Sequence, residues 1–171
     1  MQESVAESVR LDAIDFRLLR LLQADSGRSN EALAKLAHVS AATSLRRVRR
    51  LERTGVIQRR VALIEPARVG PLLQVITEIT LDRQGAEHLD AFEARAVAQP
   101  AVQQCYRVSP GPDFILVAAV TDMPGWARVV DGLFTQDANV RNVKAYFCVR
   151  RAKFEPAFVL LEHGDAGAKA I

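Results

Sequence analysis

Residues 29–60, SNEALAKLAHVSAATSLRRVRRLERTGVIQRR, constrain the fold of this 171-residue chain more than any other stretch. They describe two short helices, a tight turn between them and a glycine closing the second. Ser29 heads the first helix, where its hydroxyl can accept from free backbone N–H groups, and Glu31 suits the positive end of the helix dipole. Leu33, Leu36 and Ala37 share one face at helical spacing. The apolar pattern lapses at His38-Val39-Ser40, and Ser40 caps a second helix whose expected inner face is Leu45, Val48 and Leu51. Gly55 can then take the positive φ that ends a helix. Two short helices around a tight turn, the second basic on its outside, form the helix-turn-helix pattern.

The residue types on that outside have a chemical reading. Seven arginines lie between Arg46 and Arg60, against the single acid Glu52. Guanidinium groups bind phosphate bidentately and read guanine in the major groove, while small side chains permit close approach. The plain alternative is a solvated charged face. The turn, the caps and the one-sided charge together favour double-stranded DNA as the partner. Ser40, Ala42, Thr43, Ser44 and Arg47, at the start of the second helix, are then the candidates facing DNA, with Ala42, Thr43, Ser44 and Arg47 nearest the base edges. Arg46, Arg49, Arg50 and Arg53 are assigned to phosphates or to salt bridges within the domain. Arg59 and Arg60 either reach phosphates from a short strand or wing after Gly55 or are solvent-facing strand ends.

Ahead of this pair, residues 12–23 repeat Ile14, Leu18, Leu21 and Leu22 at helical spacing, with Asp12 as N-cap and Asp15 also near the positive end. Residues 1–64 thus form a three-helix, winged helix-turn-helix domain. They carry 12 basic and 7 acidic side chains, whereas residues 65–171 carry 11 and 13. The basic half is the one holding the helix-turn-helix, so a nucleic-acid arm is joined to a domain with another task.

Pro66, Gly70 and Pro71 punctuate a linker over residues 65–72. Residues 73–171 then alternate strand and helix. Strands are expected at 73–81, 102–109, 114–120 and 143–149, with a further one at 157–161. Helices are expected at 86–98, packing through Leu89, Phe92, Ala96 and Val97, and at 124–134, packing through Trp126, Val129, Val130 and Leu133. Pro110-Gly111-Pro112-Asp113 makes the turn between the second and third strands. The order β-α-β-β-α-β is that of a ferredoxin-like sandwich, giving an α+β class overall. FILVAAV at 114–120 is apolar at both parities, and AYFCV at 145–149 behaves likewise. Strands apolar on both faces are normally covered on both. A second copy of the same sheet is the expected cover, which implies a homodimer and matches the two-fold operators read by helix-turn-helix proteins.

Cys105 and Cys148 stand in apolar runs without metal-ligand spacing, so they read as buried free thiols in a reducing cytoplasm rather than as a disulfide or zinc site. No apolar run reaches the ~18–20 residues of a membrane span. No secretory signal opens the chain, no nucleophile–base pair stands out, and no cofactor is implied.

LDAIDFRLLRLLQADSGRSNEALAKLAHVSAATSLRRVRRLERTGVI resembles the N-terminal domain of the Lrp/AsnC (feast/famine) transcriptional regulators. The features shared are Leu11-Asp12 with Asp15, the LLQ-D-GR segment, Leu33-Ala34, the serine-led turn, Arg46-Arg47-Val48, Arg50-Leu51-Glu52 and Gly55-Val56-Ile57. VQQCYRVSPGPDFIL and NVRNV are similar to that family's effector-binding and assembly domain. The resemblance implies a bacterial or archaeal regulator of a kind that dimerises through its sheets, often assembles further to tetramers or octamers, and often binds an amino acid between dimers near the turn joining the second and third strands; the absence of a signal and of a membrane span places it in the cytoplasm. On this basis Ser109, Pro110, Gly111, Asp113, Asp122, Ala145 and Tyr146 are the effector candidates, with the two acids placed to pair with an α-amino group. Pro110 and Tyr146 depart from the family pattern: the first removes an N–H donor and the second fills space. One alternative is therefore an effector-independent, architectural DNA binder. A siroheme decarboxylase-like enzyme shares the architecture, but His38, His88 and His163 all lie away from the Pro110–Asp113 turn.

Overall fold

A computed structural model of the chain describes residues 9–160. The described residues divide into two compact units, one of residues 9–63 together with 154–160, the other spanning Ile64–Lys153. The sequence placed the corresponding division at residue 64 and residues 154–160 with the second unit.

The first unit holds α1 (Ala13–Ala24), α2 (Asn30–Ala37) and α3 (Ala41–Arg53). Each start is capped. Asp12 accepts from the backbone N–H groups of Ile14 and Asp15, while Asp15 accepts in return from the Asp12 N–H. Ser29 and Ser40 accept from Ala32 and Thr43. The turn between α2 and α3 needs a left-handed residue, and His38 supplies it at φ 56° where glycine is the common choice. Gly55 takes φ 75° after α3, as its position implied.

Leu18, Leu22, Leu33, Ala37 and Val48 form the core of this unit. Two sequence assignments change here. Leu36 and Leu45 remain 43% and 40% exposed, whereas Ala34 and Ser44 are buried. The inner face of α3 is Ser44, Val48 and Leu51, a four-then-three spacing that fits the helix as well as the assumed three-then-three. Of the strand or wing expected after Gly55, residues 58–65 show an unpaired segment with no strand.

In the second unit, β1 (Leu73–Leu81), α4 (Ala86–Ala98), β2 (Val102–Arg107), β3 (Phe114–Val120), α5 (Met123–Val130) and β4 (Val140–Phe147) follow in order. The sheet is antiparallel with strand order β2-β3-β1-β4, the ferredoxin-like arrangement. A π-helical turn, Asp131–Thr135, extends α5 and buries Leu133 and Phe134. Val75, Ile79 and Leu81 of β1 and Phe114, Leu116, Ala118 and Val120 of β3 pack against Phe92, Ala96, Trp126 and Val129 of the two helices. Val97, expected in that core, is 66% exposed and lies on the outer side of α4.

The opposite sheet face carries no helix. Ile115, Val117 and Ala119 are half-buried there, in register with Glu78, Ile76 and Gln74. Ile76, Tyr106 and Tyr146 on the same face are 40–51% exposed. The double-sided apolar pattern of β3 therefore corresponds to one face packed on helices and one face open. Finally, residues 157–160 form no strand, and residue 161 lies outside the described residues. The Phe158 and Leu160 backbone bonds go instead to side chains of α1, and the Ala157 N–H donates to Glu155.

Candidate nucleic-acid interface

The arginines of α3 sort into two sets, and a single carboxylate does the sorting. Asp15 is 1% exposed. Its oxygens accept from the Arg47 guanidinium at 3.0 Å, from the Arg50 guanidinium, and from the Asp12 backbone N–H at 3.1 Å. Arg47 also donates to Asp12 at 2.8 Å. Burial works against the Asp12 carboxylate. The Arg47 hydrogen bond, the Asp15 and Ile14 N–H groups and the Arg47 charge outweigh it and hold the group below its ordinary range. The same contacts raise Arg47, led by its bond to Asp12. Arg47 and Arg50 thus clamp α3 to the start of α1 and face inward.

The other set faces water. Arg46, Arg49 and Arg53, with Ala42, Leu45 and the edge of Arg50, border an open groove of about 670 Å³. These positions recur at three and four residues, so they form one stripe along the helix. Such a stripe suits the major groove, with guanidinium groups for phosphate and guanine and with Ala42 and Leu45 for thymine methyl groups.

The expected base-facing residues therefore divide. Ala42 is exposed and Thr43 half-buried, its hydroxyl accepting from Ser40 Oγ at 2.9 Å. Ser44 is fully buried, with its hydroxyl unpartnered among the described residues, so it cannot reach a base. Arg47 is held inside the unit and is withdrawn from the base-contact set. Ser40 is exposed but serves as N-cap. Arg59 is exposed, whereas Arg60 pairs with Glu52 at 2.8 Å. Sequence reasoning missed Leu45 as a groove residue. It noted Asp12 and Asp15 only as capping residues, although two acids ahead of an arginine-rich helix were the available signal for ion pairing.

The effector candidates are not brought together within one protomer. Ser109, Pro110, Gly111 and Asp113 sit at one end of β3 and Asp122 at the other, across a seven-residue strand that spans about 20 Å. Asp113 accepts from the Leu81 N–H at 2.7 Å, where the β1·β4 register slips. Asp122 caps α5 by accepting from the Gly125 N–H at 2.7 Å. Both carboxylates therefore have backbone partners. Ala145 packs on the core side of the sheet, and Tyr146 stands on the open side with its hydroxyl donating to Glu78 at 3.3 Å. The cysteines are free thiols; burial, with the nearby Glu93 charge, pushes Cys105 up despite Arg107.

Residues 11–58 match the winged helix-turn-helix DNA-binding family, and residues 74–158 match the Lrp/AsnC ligand binding domain. The chain belongs to the Lrp/AsnC family of transcriptional regulators. It is 35% identical over 145 residues to the leucine-responsive regulatory protein of Rhizobium meliloti, covering 85% of this chain and 93% of that one. The crystal structure of an AsnC family regulator from Agrobacterium tumefaciens superposes with TM-score 0.78 at 29% identity, covering 87% of this chain and 97% of that one. A transcriptional regulator from Neisseria meningitidis, solved as its L-Met complex, also gives 0.78, at 25% identity, covering 88% of this chain and 97% of the other. The exposed arginine stripe accordingly lies within the winged helix-turn-helix of an Lrp/AsnC-type regulator. No helix among the described residues is long and apolar enough to cross a membrane.

Two outcomes test the clamp. Asp15→Asn should cost the first unit about 2 kcal/mol, because it removes the buried charge that two guanidinium groups bond. Urea denaturation of the full chain, followed by amide exchange in α1–α3, measures it; a loss within about 0.5 kcal/mol would contradict the clamp. Because folding lowers the Asp12 pKa, the stability this group contributes is present above its ordinary value of 3.8 and is lost as pH falls through the folded value. Asp12→Asn should therefore flatten the acid limb of the stability–pH curve below about pH 4 and leave its shape near neutrality unchanged.

Proposed function

We propose that this Lrp/AsnC regulator is a sequence-specific, cytoplasmic homodimer that sets α3 in the major groove and controls genes of amino-acid metabolism or transport in response to an amino acid. The observation that carries the DNA reading is the sorting of α3. Ala42, Leu45, Arg46, Arg49 and Arg53 share one exposed groove, while Arg47 and Arg50 are held by Asp15. Ala42, Leu45 and Arg46 are assigned to base edges, and Arg49, Arg53 and Arg59 to phosphates. No catalytic role is assigned to any residue.

Support for the dimer is the uncovered sheet face, where Ile76, Tyr106 and Tyr146 are exposed beside Ile115 and Val117. A second such face is its natural cover, since a single layer leaves that surface in water. Tetramers or octamers follow if dimers meet again through the turn at 108–113. Support for an amino-acid effector comes from the relatives: one is named leucine-responsive and another was solved with L-Met. Because Asp122 and the 109–113 turn lie far apart in one protomer, a site using both takes them from different copies.

A second reading is favoured by one specific observation. The carboxylates of Asp113 and Asp122 already serve backbone N–H groups. If neither turns to a ligand, the protein binds DNA without an effector.

Arg49→Ala should weaken binding on all DNA sequences alike and reduce the slope of log affinity against log salt by about 1. Fluorescence anisotropy over a salt series measures it, and an unchanged slope would remove Arg49 from the phosphate set. A melting screen against the common amino acids separates the two readings. A ligand present at a hundred times its Kd adds about 2.7 kcal/mol to the folded state and raises the melting temperature. No shift at millimolar concentrations would favour the effector-independent binder.

A further inference from the structure

Gln23 lies on the solvent side of α1, yet its carboxamide is taken up by another part of the chain. Its Oε1 accepts from the Phe158 backbone N–H at 2.7 Å, and its Nε2 donates to the Phe158 carbonyl at 3.1 Å. One side chain thus makes the reciprocal pair of bonds that a strand neighbour makes. A turn earlier, Arg20 Nη2 donates to the Leu160 carbonyl at 3.2 Å. All three bonds end on backbone atoms. Phe158 and Val159 are 78% and 87% exposed, so burial of these two side chains contributes little to holding the segment. Polar grips on its backbone contribute instead, beside the half-buried Leu160.

The covalent path gives this contact a consequence. The chain passes between its two units twice, at Leu63–Ile64 and again at Lys153–Phe154. The first crossing follows α3 and residues 58–65, which carry neither helix nor strand. The second follows β4 through residues 148–157, which likewise carry neither helix nor strand, and ends on α1, the helix whose first turn clamps α3 through Asp15. One irregular connection leaves a unit freer to reorient than two irregular connections that end on different helices.

We propose that the outer side of α1, through Gln23 and Arg20, is the docking surface for the chain's own C-terminal segment, and that the docked segment is a second tether on the DNA-binding unit. Undocking leaves α3 with more orientational freedom to lose when it meets DNA. This consequence rests on the DNA-binding reading; the docking itself does not.

The test uses the full chain. In the wild type the Phe158 amide should be protected from hydrogen exchange, and in Gln23→Ala it should exchange at least tenfold faster with the melting temperature unchanged. Gln23→Glu keeps the acceptor for that N–H and should retain most of the protection. The second arm measures affinity for a DNA fragment selected in vitro by the wild-type protein. Gln23→Ala and a truncation after Lys153 should both bind several-fold more weakly, with the salt slope unaltered because no phosphate contact is removed. A wild-type Phe158 amide exchanging at the rate of an unstructured peptide would overturn the docking. Lost protection with undiminished DNA affinity would overturn the tether.

Discussion

The first unit depends on one buried carboxylate. A charge as enclosed as Asp15 is tolerable only when its lone pairs are filled, and here two guanidinium groups and a backbone N–H fill them. Much else follows from that requirement. The bonds fix the distance and rotation of α3 against α1. They turn Arg47 and Arg50 inward and thereby leave the opposite stripe, with Arg46, Arg49 and Arg53, on the solvent side, where we propose it meets DNA. A helix with five arginines in thirteen residues is thus given an inside and an outside by its ion pairs as much as by its apolar residues.

The second unit shows the same economy in its treatment of faces. β3 is apolar at every position, and the structure uses the two parities differently. Phe114, Leu116, Ala118 and Val120 meet helices, while Ile115, Val117 and Ala119 stand on the open side. The open side is where the proposed two-fold partner would fit. Two copies of a helix-turn-helix unit would then read two half-sites, so that in this proposal the packing of a sheet and the symmetry of an operator are parts of one arrangement.

Much of this was legible in the residues because it is local. Caps, the positive φ of Gly55, and the limits of β1 and β3 depend on near neighbours and on strict alternation, and they emerged where expected. The misplacements share a different cause. Leu45 and Val97 are apolar residues at helical spacing, and spacing alone does not tell which of two adjacent stripes faces the core. Ser44 was read as a polar surface residue because a small hydroxyl at a tight α2–α3 contact looks the same in sequence as one facing a base. The Asp15 clamp joins residues more than thirty apart, and the C-terminal segment finds its partner in a glutamine side chain across 135 residues. Neither has a periodic signature. The effector candidates lie at opposite ends of β3 within one protomer for a related reason: a motif names residues around a strand, but the strand's length and parity decide which of them can meet in a single copy.

The central claim is that α3 carries structural arginines on one side and DNA-binding arginines on the other. The most direct measurement is nitrogen-15 NMR of the arginine side chains in the full-length protein, free and then saturated with DNA. Arg47 should be rigid and protected from solvent exchange before DNA is added, and its signal should move little on binding. Arg46 and Arg49 should be mobile in the free protein and become ordered with large shifts in the complex. A mobile Arg47 that orders only when DNA is present would contradict the account and return it to the base-reading set.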